Sequence, residues 1–176
     1  MHIKLKRTPG LYLAGFMGSG KSTVGRLLAD RLGWDFVDLD AEIEEREQTT
    51  IGQIFEVRGE AEFRRMETDM IRFWVRAIER GSPTVISLGG GAFVHPGNFD
   101  LMENHGISIW LDCSFDVIRQ RLAEEAADRP LARDPLKFRQ LFEDRRVGYS
   151  RADFRIEGDC EPLLSVDAVL KLPIWK

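Results

Sequence analysis

The sequence predicts an α/β fold, a parallel sheet layered between helices, on three observations. Short apolar runs alternate with longer stretches of helical periodicity along almost the whole chain, as in successive βαβ units. The first run, Leu11-Tyr12-Leu13-Ala14, leads straight into Gly15-Phe16-Met17-Gly18-Ser19-Gly20-Lys21-Ser22, which fits the phosphate-binding P-loop pattern G-x-x-x-x-G-K-[ST]. The chain has 176 residues, enough for one domain with a sizeable core.

Each element has a local reason. Residues 11–14 form a short buried strand, and Val24, Leu27, Leu28 and Leu32 give helix 21–32 an apolar stripe closed by Gly33 as C-cap. Residues 34–37 are the second strand, running on into Asp38-Leu39-Asp40, with a charged, exposed helix at 41–47. Thr49 or Thr50 caps a further helix that turns Ile51, Ile54 and Phe55 inward. A long helix spans about 60–80, with Phe63, Met66, Met70, Trp74 and Ala77 at helical spacing, and Gly81-Ser82-Pro83 stops it. Thr84-Val85-Ile86-Ser87 reads as a central strand followed by Leu88 and Gly89-Gly90-Gly91. Pro96 starts a short helix to about 102, residues 107–111 are the fourth strand, and Ser114 caps a helix to about 125. Residues 126–135 are charged, twice interrupted by proline and without apolar periodicity, so they read as a loop. A helix at about 136–146, a fifth strand at 152–156 and a last helix at 163–170 complete the chain.

Composition excludes several classes. Hydrophobic residues make up 43% and charged residues 31%, and the net charge of −4 exerts no overall pull toward nucleic acid or anionic membrane. Cys113 and Cys160 cannot build a disulfide framework and lack metal-ligand spacing. No apolar run approaches the ~20 residues of a membrane span, and the basic start lacks the apolar core of a signal peptide. The expectation is a cytoplasmic monomer acting on small molecules.

The chemistry gathers at one edge of the sheet. In the P-loop, glycines let backbone N–H groups approach phosphate oxygens, and the helix N-terminus adds its positive dipole end. Lys21 would reach the β- and γ-phosphates and the Ser22 hydroxyl would face Mg²⁺. Asp38 and Asp40 close the second strand; if the chain stays extended there they point the same way, toward a metal and a substrate hydroxyl. Either one could instead be a helix N-cap. Arg64 borders the apolar stripe of the long helix, where it can clamp a carboxylate, pair with Glu60 or Glu67, or be oriented by Glu67 while clamping. Gly89, Gly90 and Gly91 follow a strand and leave room for a ligand at the backbone, unless they form only a loose turn. Arg129 in the loop could stabilise a transferring phosphoryl group or be a solvated charge. Arg145, near a helix end and four residues before Tyr149, could face the same cleft, though alone such a residue is more often a solvated charge or dipole partner, and Arg121 could lie over a purine ring, though a surface role suits its spacing better. His2, His95 and His105 show no ligand spacing, and nothing suggests a covalent intermediate, so direct in-line phosphoryl transfer is indicated.

Taken together and in this order, the segments resemble the shikimate kinase family. The matches are the wording G-F-M-G-S-G-K-S, Asp38-Leu39-Asp40, Gly59-Glu60 with Phe63-Arg64-Arg65 and Glu67, Leu88-Gly89-Gly90-Gly91, Arg129-Pro130-Leu131, and Arg145 with Tyr149. The resemblance covers about residues 10–170. It implies a three-layer α/β/α P-loop kinase fold with a five-stranded parallel sheet, a substrate-binding subdomain at about 39–70 and a lid at about 126–135, in a single domain over 1–176. It implies transfer of the ATP γ-phosphate to the 3-hydroxyl of shikimate, in aromatic amino acid biosynthesis. Carried over residue by residue, Gly18, Ser19, Gly20, Lys21, Ser22 and Thr23 hold the phosphates. Ser22 and Asp38 serve Mg²⁺, and Asp40 binds shikimate hydroxyls and is the base or orienter. Arg64 and Arg145 hold the carboxylate, Gly89 to Gly91 line the substrate, Arg129 is the lid arginine and Arg121 lies near adenine. Ala132 stands where the family usually has Leu. Rival expectations are a gluconate kinase of the same fold, a nucleotide kinase, and a nucleotide-sensing module without catalysis.

Overall fold

A computed structural model describes residues 10–125 and 134–175. In chain order its elements are β1 (Gly10–Ala14), α1 (Lys21–Leu32), β2 (Asp35–Asp38), α2 (Leu39–Glu47), α3 (Ile51–Arg58), α4 (Glu60–Glu79), β3 (Thr84–Ser87), α5 (Asn98–Glu103), β4 (Ile107–Asp112), α6 (Phe115–Glu124), α7 (Pro135–Tyr149), β5 (Phe154–Glu157) and α8 (Pro162–Leu170), with a closing turn at Pro173–Trp175. The five strands form one sheet in the order β2-β3-β1-β4-β5, every neighbouring pair parallel. Period-two alternation divides the core. Tyr12 and Ala14 face one layer with Ile86 and Trp110, against α4 and α7. Leu11 and Leu13 face the other with Val85, Ile109 and Leu111, against α1 and α8. The expected α/β/α sandwich is therefore the observed one.

Register brings the chemistry-bearing ends together. Asp38 of β2 pairs with Ser87 of β3, and Ser87 pairs with Leu13 of β1, two residues before the P-loop begins. Helix α1 lies close on this sheet because residue 25 is glycine: a Cβ there would stand 2.6 Å from Phe36 Cε2 and 3.1 Å from Leu13 Cδ1.

Four expectations need correction. Strand β2 stops at Asp38 and helix α2 starts at Leu39, so Asp40 lies in a first helical turn and not on extended chain. The cause is Asp38 itself, whose Oδ1 accepts from the Ala41 N–H at 3.2 Å and caps the helix, while Leu39 buries completely. The buried face of α4 is Phe63, Glu67, Met70, Ile71, Val75 and Ile78, so Met66, Trp74 and Ala77 sit at its margin. Helix α7 begins at Pro135 and runs to Tyr149: Asp134 accepts from the N–H groups of Leu136 and Lys137, and proline suits the first helical position because its missing N–H is not needed there. Residue 135, and Asp134 as cap, thus belong to α7 and not to the expected loop; the rest of that loop lies outside the described residues. The short helix after Pro96 begins two residues later, at Asn98.

Candidate active site

The phosphate loop is built by backbone geometry. Gly18 and Gly20 have φ of 78° and 89°, in the left-handed region where side chains are strained. Gly20 is the N-cap of α1, and Ser19 is buried, its N–H donating to Phe16 O at 3.1 Å. Lys21 is buried, with 9% of its surface exposed. Its ammonium donates to the carbonyls of Gly15 and Phe16, each at 2.9 Å, and lies 3.4 Å from Ser19 Oγ. Folding it back over the loop satisfies a charge that would otherwise be costly at this depth. Thr23 is exposed in the same first turn of α1.

Ser22 donates its hydroxyl to Asp38 Oδ2 and lies 3.2 Å from Ser87 Oγ. Ser87 was not singled out from the sequence; its place as the last residue of a strand before a glycine run is the signal that could have marked it. Asp40 stands beside this group. Burial, with Asp38 next to it, holds its carboxyl above the usual carboxylate range, against the pull of Lys21 and Arg64. Its Oδ1 is buried without a hydrogen-bond partner among the described residues.

The glycine turn explains itself through its neighbours. A Cβ at Gly89 would stand 2.6 Å from Asp40 Oδ1 and 3.2 Å from Glu67 Oε2. One at Gly90 would stand 3.0 Å from Arg145 Nη1, and one at Gly91 2.6 Å from Arg64 Nη2. All three glycines are therefore places where charged side chains meet the backbone. Arg64 donates to Glu67 at 2.9 Å and reaches Glu60 at 3.5 Å. Glu67 is wholly buried, so burial pushes its carboxyl up to about 7 even with Arg64 beside it. Arg145 lies over the Phe16 ring, 5.6 Å from its centroid, and Tyr149, one helical turn on, donates to Gly90 O at 2.5 Å. Arg64 and Arg145 thus converge on one turn from opposite helices, α4 and α7.

Arg121 has partners of its own: it donates to Gly18 O at 3.3 Å and to Gly158 O at 2.9 Å, bracing the back of the P-loop. Cys113, buried at the same place with its thiol pushed up to about 11 by burial, lies 3.4 Å from that guanidinium. Arg129 and Ala132 lie outside the described residues. His95 Nδ1 is buried without a partner among the described residues, while its backbone N–H donates to Gly91 O at 3.1 Å; His105 meets Leu101 O and Glu79.

The P-loop with Ser22 and Asp38 stands on one side, and Asp40, Glu67, Arg64 and Arg145 gather at the glycine turn on the other. That arrangement defines a P-loop small-molecule kinase. A family profile described as Shikimate kinase matches residues 17–171. A shikimate kinase from a Sulfurihydrogenibium species is 45% identical over 150 residues, covering 85% of this chain and 87% of that one. The crystal structure of shikimate kinase from Aquifex aeolicus superposes with TM-score 0.79 at 36% identity, over 92% of this chain and 93% of the other. The structure from Acinetobacter baumannii, in complex with shikimate, does so with TM-score 0.84 at 33% identity, over 93% and 92%. The chain belongs to the shikimate kinase family and is an ATP-dependent phosphotransferase acting on shikimate. A gluconokinase from Sinorhizobium meliloti, at 16% identity and TM-score 0.59, shares the fold alone.

Proposed function

We propose that the cleft moves the ATP γ-phosphate to the 3-hydroxyl of shikimate in one in-line step. The observation that carries this is Asp40: a buried carboxyl oxygen without a partner among the described residues, set between the P-loop and the arginines. A group so placed accepts a hydrogen bond from an acceptor hydroxyl, orienting it and taking its proton as the new O–P bond forms. Arg64, held by Glu67, and Arg145, held against Gly90, clamp the carboxylate of the acceptor. Gly89 to Gly91 let the ring lie against the backbone. The N–H groups around Gly18, Ser19 and Gly20 receive phosphate oxygens, Lys21 exchanges its loop carbonyls for the β- and γ-phosphates, and Thr23 completes the nucleotide side. Arg121 supports the loop from behind and borders the adenine side. Arg129 retains the role of stabilising charge on the phosphoryl group in transfer.

The donors at Ser22 and Asp38, with Ser87 beside them, are all oxygen, as Mg²⁺ requires. When bound, Mg²⁺ offsets the phosphate charge. Helices α2 and α3 with the first turns of α4 form the substrate-binding subdomain. No helix among the described residues is long and apolar enough to cross a membrane, and we place the enzyme in the cytoplasm as a monomer. A coupled ADP-release assay with shikimate, quinate and gluconate side by side tests the reading. Turnover should require shikimate and magnesium, and equal turnover with gluconate would refute it.

A further inference from the structure

Asp112 ends β4 at the same sheet edge as the cleft but takes no part in the chemistry above. Its side chain is 8% exposed and receives both arms of Arg146, at 2.5 and 3.2 Å, and the guanidinium of Arg155. Arg146 is further fixed between rings, 5.1 Å from the centroid of Trp110 and 5.4 Å from that of Phe142. A bidentate pair with an aromatic floor gives a guanidinium one orientation.

The residue before it is Arg145, which points elsewhere, over Phe16 and against Gly90. Adjacent residues on a helix differ by about 100° in direction. A helix gripped at Arg146 therefore has its roll fixed, and Arg145 is aimed by consequence. The apolar anchors of α7, Phe138 and Phe142 against Phe16 and Phe115, are ring contacts at 5.2 to 5.7 Å that tolerate small rotations. A forked ion pair does not.

We propose that Asp112 is a positioning residue for acceptor binding: by gripping Arg146 it sets the roll of α7 and holds Arg145 against the glycine turn. It acts through Arg145 and touches no substrate. This rests on the reading of Arg145 as a carboxylate clamp, and the test separates the two.

The test is a double-mutant cycle read in KM and kcat for both substrates, with melting temperature as the folding control. Arg145→Ala raises the shikimate KM if the clamp reading holds. Arg146→Gln leaves Asp112 paired with Arg155 and so spares the fold, while Asp112→Asn removes the anion itself. Each should raise the shikimate KM roughly ten-fold, as expected for a binding group displaced by part of an ångström, with the ATP KM within about two-fold. In an Arg145→Ala background neither should raise it further, because residues acting through one group are not additive. Arg146→Lys should restore only part of the loss, since an ammonium cannot fork. If Arg146→Gln leaves the shikimate KM unchanged while Arg145→Ala raises it, or if the two effects multiply, the proposal is overturned. If Arg145→Ala alone changes nothing, the clamp reading fails and this inference falls with it.

Discussion

Replacing Gly91 by alanine should evict the Arg64 guanidinium while leaving the fold intact. The methyl group would stand 2.6 Å from Nη2, 2.8 Å from Nη1 and 2.9 Å from Cζ of Arg64. Ordinary contact begins near 3.4 Å, so the guanidinium must retreat by roughly 0.8 Å. Gly91 is not among the glycines with positive φ, so alanine meets no backbone strain. The atoms that must give way are the far end of a flexible side chain, which makes the stability cost small. The functional cost is larger. A charge-assisted hydrogen bond lost from the acceptor is worth roughly 1.5–3 kcal/mol, or about 10- to 150-fold in affinity. Steady-state kinetics should therefore show the shikimate KM raised within that range, the ATP KM nearly unchanged and the melting temperature within a few degrees. Arg64→Ala should absorb the effect, so that the double variant resembles Arg64→Ala alone. A shikimate KM within about two-fold of the parent would refute the reasoning, because the displaced group would then not be a clamp.

Other expected outcomes follow from the same geometry. Lys21→Ala should cut turnover at least ~100-fold, and thermal melting should also show a modest loss of stability, because the ammonium ties two loop carbonyls. Asp40→Asn keeps size but loses basicity, so stopped assays should show kcat down by about 10² or more with the ATP KM little changed. The native Glu67 carboxyl keeps its proton to about pH 7, whereas the unfolded chain releases it near 4.5. The native state therefore binds the extra proton in that window, and stability falls as pH rises from about 4.5 to 7, by at most about 3 kcal/mol. Denaturant melts across that range should show a shallower decline for Glu67→Gln, and an identical pH dependence would contradict the assignment. Arg129→Ala should lower kcat far more than acceptor affinity, and Arg129→Lys should recover only part of it, as single-turnover rates would show.

What could be seen in advance was whatever the local chain decides. The P-loop, the Gly33 cap of α1 and the Ser114 cap of α6 stand where their residue types place them. The pairing of Arg64 with Glu67 was one of the expected alternatives and is present. Periodicity misplaced the buried face of α4 because it counts apolar letters. Glu67 is polar by type yet lies at the centre of that face, held there by an arginine. An N-cap role for Asp38 was also one of the expected alternatives and is what the structure shows, so Asp40 falls in the first turn of α2 and the extended-chain alternative fails. The burial of Lys21, the bracing role of Arg121 and the grip of Asp112 on Arg146 all join residues far apart in the chain or depend on depth. No spacing rule reports them.

Gly25 carries a consequence for anyone who would engineer this enzyme. A common way to stabilise a protein is to replace a helical glycine with alanine, which frees the helix of an entropic burden of about 1 kcal/mol. At position 25 that recipe should work backwards. The added methyl would meet an aromatic carbon of Phe36 and a methyl of Leu13 in the sheet below, pushing α1 outward. Lys21 and Ser22 ride on the first turn of that helix, within four residues of the contact. The chain forgoes helix stability at one point so that its phosphate-handling turn can sit low on the strands. A design that applied the recipe here would lose stability and displace the phosphate-handling turn in the same step.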